Sequence, residues 1–190
     1  MAETREALLL AGEALFAEQG LDGPSLDAIC ERAGRTRGAF YVHFADRDEF
    51  LAAVMERVGA PYLDAVLGGG EHAPRSLADV AARFIASVAS GAYPLTRPGG
   101  PKPHQLLDAC ARSPRVRARY VELIAESISR LEHVITLDQR EHALRDDVSA
   151  RAIASALLAA VIGAHTMIEL GAPIDLGEGA AALITMLAPR

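Results

Sequence analysis

Residues 25–47, SLDAICERAGRTRGAFYVHFADR, constrain this chain more than any other stretch. Ser25 is a good N-cap, and Leu26, Ile29, Cys30 and Ala33 recur behind it at helical spacing. Gly34 tolerates the positive φ that ends such a helix. Thr36 then caps a second short helix over 37–44, in which Phe40 and Phe44 lie four apart and share an inward face. Arg37, Gly38, Tyr41 and Val42 fall on the outer face, and Asp46 caps the helix that follows. Two helices on one apolar seam, a glycine turn and a short second helix with a polar outer face make a helix-turn-helix. In that motif the second helix lies in the DNA major groove, with its first residues at the base edges.

Charge is placed to suit this reading. The net charge of −6 argues against a generic nucleic-acid binder. Residues 32–47, however, carry a local net charge of +3, from Arg32, Arg35, Arg37 and Arg47 against Asp46. The basic charge is focused where the motif would meet phosphates. Cys30 and Cys110 stand in helical patterns with no CxxC and read as free, buried thiols. The opening MAETREALLL has an acidic residue before its apolar run and no small-residue cleavage site, so it does not read as a signal peptide. No apolar run reads as long enough to span a bilayer. The expectation is a cytoplasmic chain with no membrane partner.

The other segments read as helices, consistent with 51% hydrophobic residues and no Trp. Residues 3–19 are amphipathic, with Leu8, Ala11, Leu15 and Phe16 inward and Gly20 at the end. A longer helix starts at Asp46; Gly59 and Pro61 predict a kink or break in it. Residues 68–74 read as a loop and 76–92 as a helix capped by Ser76. Residues 94–103, PLTRPGGPKP, read as a long irregular connector. Helices follow over 104–112, about 115–138, 147–170 and about 177–188; the third of these is apolar nearly all round. The fold class is therefore all-α, with about nine helices: a three-helix N-terminal domain over 1–47 and a C-terminal helical bundle over 48–190.

Residues 8–51 resemble the N-terminal domain of the TetR family of bacterial repressors. The resemblance rests on LLLAGEALFAEQG, SLDAICERAG and TRGAFYVHFADRDEFL, with their apolar order, two glycines and FY-x-HF signature. It implies a homodimeric regulator that binds a two-fold symmetric operator, with a C-terminal domain for ligand binding and dimerisation. Carried over by position, Thr36, Arg37, Gly38, Ala39 and Tyr41 match DNA-facing positions, and Tyr41 and His43 match phosphate contacts. Arg47 matches a basic residue at the start of the fourth helix that meets the backbone. Arg35 stands at a turn position that is usually apolar, which directs it toward a phosphate. Ala39 replaces a commoner Thr and leaves a methyl contact. Arg37 suits guanine O6 and N7 or, equally, a phosphate.

Dimerisation is expected on the last two helices, through Ile153, Leu157, Ala160, Val161, Ala164 and Ile168 with Leu183, Ile184 and Leu187; the alternative is that the long helix is only the chain's own core. A cavity for a small apolar or aromatic ligand is expected among Phe84, Val88, Leu107, Cys110, Tyr120 and Leu123, with Ile124, Ser127, Leu131, Leu158, Ile162 and His165; the alternative there is a solid core. Tyr120, Ser127 and His165 would orient such a ligand. No metal-ligand spacing, paired-carboxylate site, Ser-His-Asp set or phosphate loop is visible, so no cofactor or enzymatic activity is expected. A competing reading keeps the DNA-binding fold but controls it through a protein partner or oxidation of Cys110, with Arg112 and Arg115 close in sequence.

Overall fold

The computed structural model describes residues 2–68, 73–96 and 100–189. Among the described residues there are nine α-helices and no strand, as expected. They are α1 Ala2–Gln19, α2 Leu26–Arg32, α3 Arg37–His43, α4 Arg47–Leu67, α5 Leu77–Ala89, α6 Pro103–Arg112, α7 Pro114–Arg140, α8 Ala150–Glu169 and α9 Leu176–Met186. The described start of the proline-glycine stretch folds into a 3-10 turn, Pro94–Thr96. Residues 69–72 and 97–99, parts of the two expected loops, lie outside the described residues.

Side-chain caps set most helix starts. Hydroxyls of Ser25, Thr36, Ser76 and Ser149 accept from backbone N–H groups three residues on, as does the carboxylate of Asp175. Asp46 does the same for Glu49 at the start of α4, at 2.7 Å. Ser149 explains why α8 begins at Ala150 rather than 147, and Gly91 at φ +71° explains why α5 stops at Ala89 rather than 92. The break predicted at Gly59 and Pro61 is absent: α4 runs unbroken with Pro61 inside it. A single missing N–H on an exposed face removes one backbone bond, and burial of Leu63, Val66 and Leu67 beyond it offsets that loss.

The chain forms two compact units, residues 1–61 with 94–122 and residues 62–93 with 123–190. The first packs α1, α2 and α3 around Leu8, Ile29 and Phe40, all fully buried, with Phe50 and Val54 of α4. Phe40, Phe44 and Phe50 form a ring cluster with centroids 5.0–5.3 Å apart. A Cβ on Gly12 would lie inside the Phe50 ring contact, so only glycine lets α1 come this close. Leu106, Ala109 and Cys110 of α6 and Val116 of α7 complete the same core. Gln105 Oε1 accepts from the N–H groups of both Leu21 and Lys102, tying the end of α1 to the start of α6.

The second unit is built on Leu63, Val66 and Leu67 of α4, Leu77 and Val80 of α5, Leu131, Val134 and Ile135 of α7, and Ile153 and Ala154 of α8. Buried Asp138 accepts from the Leu77 N–H at 2.8 Å, so a carboxylate of α7 seats the first turn of α5.

With 20 residues and an 18-residue window of mean hydropathy 1.6, α8 is long and apolar enough by length and composition to cross a bilayer, which corrects the expectation that no such run exists. The interspersed Ser155, His165 and Thr166 hid it from a reading that sought an uninterrupted apolar run. Its exposed side carries Ala152, Ser155, Ala156, Ala159, Ala160 and Gly163, small residues that allow another helix to approach closely.

Candidate DNA-recognition face

The turn between α2 and α3 is built by backbone bonding around one glycine. Ala33 ends α2, Gly34 at φ +62° donates to the Glu31 carbonyl, and Arg35 donates to the Cys30 carbonyl at 2.9 Å. This pair of bonds is a Schellman motif. A Cβ at Gly34 would meet nothing within 4 Å, so its φ, and not crowding, requires glycine. Thr36 Oγ1 then accepts from Ala39 N–H at 3.2 Å and starts α3. Phe40 is fully buried and Phe44 nearly so.

This inward anchoring turns the opposite side of α3 to solvent. Tyr41 is 56% exposed and Val42 66%. Thr36, Arg37 and Gly38 are exposed, while Ala39 and His43 are half-buried. The Tyr41 ring meets Phe40 edge-on, with centroids 5.5 Å apart. The outer-face reading of Tyr41 therefore agrees with its placement, and Thr36, Arg37, Gly38 and Tyr41 stand on one exposed surface.

The basic side chains there are held by partners that sequence spacing did not reveal. Arg37 forms a two-pronged ion pair with Asp27 of α2, through Nε and Nη2. Asp27 pushes the already basic guanidinium further up. Arg32 makes a similar fork with Glu18 at 2.8 and 2.9 Å. Arg35 donates to the Gly34 carbonyl and stands 3.6 Å from Glu3, with its Nε buried and without a hydrogen-bond partner among the described residues. Arg47 is turned inward: it donates to the carbonyls of Leu21 and Pro24 at 2.8 and 2.9 Å and lies 5.9 Å from the centre of the Phe16 ring. In this structure Arg47 locks the segment before α2.

Residues expected around a ligand are divided. Cys110 and Tyr120 belong to the first unit's core, and Leu107 there is 59% exposed. Phe84, Leu123, Leu131 and Leu158 belong to the second unit's core. Val88 and Ile124 are half-buried in that unit, Ile162 is exposed, and Ser127 donates to the Leu123 carbonyl at 2.7 Å. His165 is 4% exposed and is joined by Tyr93, Tyr62 and Ser87, which sequence reading missed.

Of the residues expected at a dimer contact, Ile153 is core of its own unit, and Leu157 and Leu187 pack against that core. Ala160 is exposed; Val161, Ala164, Ile168, Leu183 and Ile184 are half-buried. Burial raises the pKa of both thiols. Arg112 is paired with Asp22 and Asp108, and Arg115 with Asp46 and Glu49, so the charges near Cys110 in sequence are engaged elsewhere. Among the described residues no cluster of metal-ligating side chains occurs.

Residues 8–54 match the family of bacterial regulatory proteins described as the tetR family. The HTH-type transcriptional repressor BepR of Brucella suis is 42% identical over 66 residues, 35% of this chain and 32% of that protein. The chain thus aligns with about a third of the length of this curated relative. Two solved structures are similar over almost the whole chain. Escherichia coli NemR in its reduced form has a TM-score of 0.73 at 23% identity, covering 97% of this chain and 96% of that one. SmeT, the repressor of the Stenotrophomonas maltophilia multidrug efflux pump SmeDEF, has a TM-score of 0.67 at 26% identity, covering 97% and 89%; it has also been solved in complex with triclosan. A helix-turn-helix built on buried Phe40 and Phe44 and the family match over its whole length lead to one assignment: residues 8–54 carry the DNA-binding segment of the tetR family of bacterial regulatory proteins, and the all-helical fold of the chain is the one its solved neighbours share.

Proposed function

We propose that this chain is a homodimeric, sequence-specific DNA-binding transcriptional repressor that leaves its operator when a small apolar or aromatic ligand binds its C-terminal part. The observation that carries the DNA reading is the exposed face of α3, where Thr36, Arg37, Gly38 and Tyr41 stand outward on a helix anchored by Phe40. Arg37 is the base-reading residue, Thr36, Gly38 and Ala39 approach the groove, and Tyr41, His43 and Arg35 meet phosphates. Arg47 acts by holding the segment before α2. The DNA-binding part is assigned to residues 1–47 and the ligand and dimer part to 48–190. Binding-site selection from random duplexes tests the reading: a two-fold symmetric site is expected, and selection of no common sequence would refute it.

One recognition helix reads one half-site, so a second copy must place its own about 34–36 Å away. The small-residue face of α8, with Leu183 and Ile184 of α9 beside it in sequence order, supports a four-helix contact between two chains. Sedimentation at micromolar concentration is expected to give a dimer, and Ala160→Glu a monomer.

Ligand control is supported by the triclosan complex of SmeT, a relative in fold and partly in sequence. Ligand binding must favour one spacing of the two recognition helices over another. The element through which we route this effect is α4, which carries Phe50 in one core and Leu63 in the other. The thiol-oxidation reading loses support, because burial makes both cysteines less acidic than usual.

A further inference from the structure

Four rings meet in the second unit: Tyr62 of α4, Phe84 of α5, Tyr93 after α5 and His165 of α8. Tyr93 and His165 stack at 4.4 Å with planes 21° apart, and Tyr93 Oη lies 3.1 Å from His165 Nδ1. Phe84 is 5.6 Å from Tyr93 and 5.7 Å from His165, and Tyr62 is 5.0 Å from Tyr93. Ser87 Oγ donates to the Phe84 carbonyl at 2.7 Å, so its one proton is used and Tyr62 donates to Ser87 at 3.2 Å. Burial pushes the Tyr62 pKa up to about 12, so that hydroxyl stays protonated. These hydroxyls are satisfied. His165 Nε2 is not: it is buried with no hydrogen-bond partner among the described residues. A buried polar atom left unmade is costly and calls for an explanation.

We propose that the Tyr62–Phe84–Tyr93–His165 cluster is the orienting subsite for a neutral aromatic alcohol, whose hydroxyl meets His165 Nε2 and whose ring packs among the three aromatic side chains. Burial depresses the His165 pKa to about 4, so the imidazole is neutral at pH 7 and carries one N–H and one lone pair. The direction of the Tyr93 bond decides which of these Nε2 holds. A ligand hydroxyl donates or accepts and so satisfies either tautomer; a carbonyl or an ammonium satisfies only one. A carboxylate accepts only from the Nε2–H tautomer and would bring an unpaired charge into a buried site. Tilted and edge-on rings at 5.0–5.7 Å accept a further aromatic ring in the same geometry.

The site gives the ligand-responsive reading its chemistry and rests on that reading for its role in operator release. The probes are 2-naphthol, naphthalene and 2-naphthoate, titrated into the full chain by calorimetry and thermal shift. Expected is binding of 2-naphthol roughly tenfold or more tighter than either of the others, from one buried hydrogen bond made only by the alcohol. His165→Phe is expected to abolish that preference while still binding naphthalene. Equal affinity for naphthol and naphthalene, or a preference that survives in His165→Phe, overturns the site. If His165→Phe does not fold, 15N-histidine-labelled wild type reads the same contact: naphthol moves the His165 imidazole signal and naphthalene does not, and an unmoved signal overturns the site. Operator binding separates the two ideas. Naphthol that binds through His165 without releasing operator supports the site and refutes ligand control. Release by compounds that bind without regard to the hydroxyl overturns the site and leaves ligand control standing.

Discussion

Arg37 and Asp27 are joined across the turn between α2 and α3 by a two-pronged ion pair, so the side chain we propose as the base reader is held by a carboxylate. Both are exposed, which leaves the fork open to exchange with a guanine edge or a phosphate. Arg37→Ala is expected to weaken operator binding by roughly 5- to 150-fold and to relax preference at one base pair in each half-site. Asp27→Asn removes a negative charge beside the phosphates and is expected to tighten binding to all sequences. Titration of operator and scrambled duplexes checks both. Unchanged sequence preference in Arg37→Ala would show that this arginine does not read a base.

Tyr41 and Arg47 are expected to separate. Tyr41→Phe touches an exposed hydroxyl and should weaken all duplexes similarly with an unchanged melting temperature. Arg47→Ala loses two bonds to the Leu21 and Pro24 carbonyls and should destabilise the fold by about 1.5–3 kcal/mol. Urea denaturation of the two variants measures the difference. Equal stabilities would mean that the inward contacts of Arg47 contribute nothing.

Gly12 sits against the Phe50 ring and Val54. Gly12→Ala gains helix propensity but must push the ring aside, and overpacking wins: about 1–3 kcal/mol of stability should be lost. Gly163→Ala in α8, where a Cβ would meet nothing within 4 Å of its own chain, is expected to leave an isolated chain's stability unharmed. Thermal denaturation of the two variants checks this, and an unchanged melting temperature for Gly12→Ala would show that the Phe50 ring yields without cost.

His165 makes stability depend on pH. Its folded pKa lies near 4, below the ordinary value of 6.5, so the unfolded chain binds the proton first as pH falls. The contribution is complete above pH 6.5 and is lost between there and about pH 4, with a slope of up to about 1.4 kcal/mol per pH unit. His165→Phe should flatten that part of the curve. Denaturant midpoints measured from pH 7 to pH 4 read it directly, and identical slopes in both proteins would refute a buried neutral imidazole.

What could be read from the sequence was local. Ser25, Thr36, Ser76 and Ser149 announce helix starts because a cap involves residues three apart, and Phe40 with Phe44 announces a buried face by spacing alone. Gly34 was legible for the same reason. Pro61 does not break α4, because tertiary packing of Leu63, Val66 and Leu67 outweighs a local preference. The partners of Arg37 and Arg47 stayed hidden, since both side chains reach across turns to groups that no periodicity names. Tyr93 stayed hidden most fully: it stands next to an irregular stretch, and its contact with His165 spans 72 residues. Chemistry in the second unit depends on such distant pairs, whereas the recognition face depends on neighbours.

The double bond-acceptor Gln105 bears on how such regulators can be recombined. The matched segment ends at residue 54, yet its core is closed by Leu106, Ala109, Cys110 and Val116, held in place through Leu21 and Gln105. A chimera that transplants only the first 61 residues onto another regulator's body would leave that flank of Leu8, Leu9 and Ile29 facing unfamiliar side chains. To transfer operator choice with its stability intact, residues 94–122 have to travel with the head, although residues 62–93 separate them in sequence.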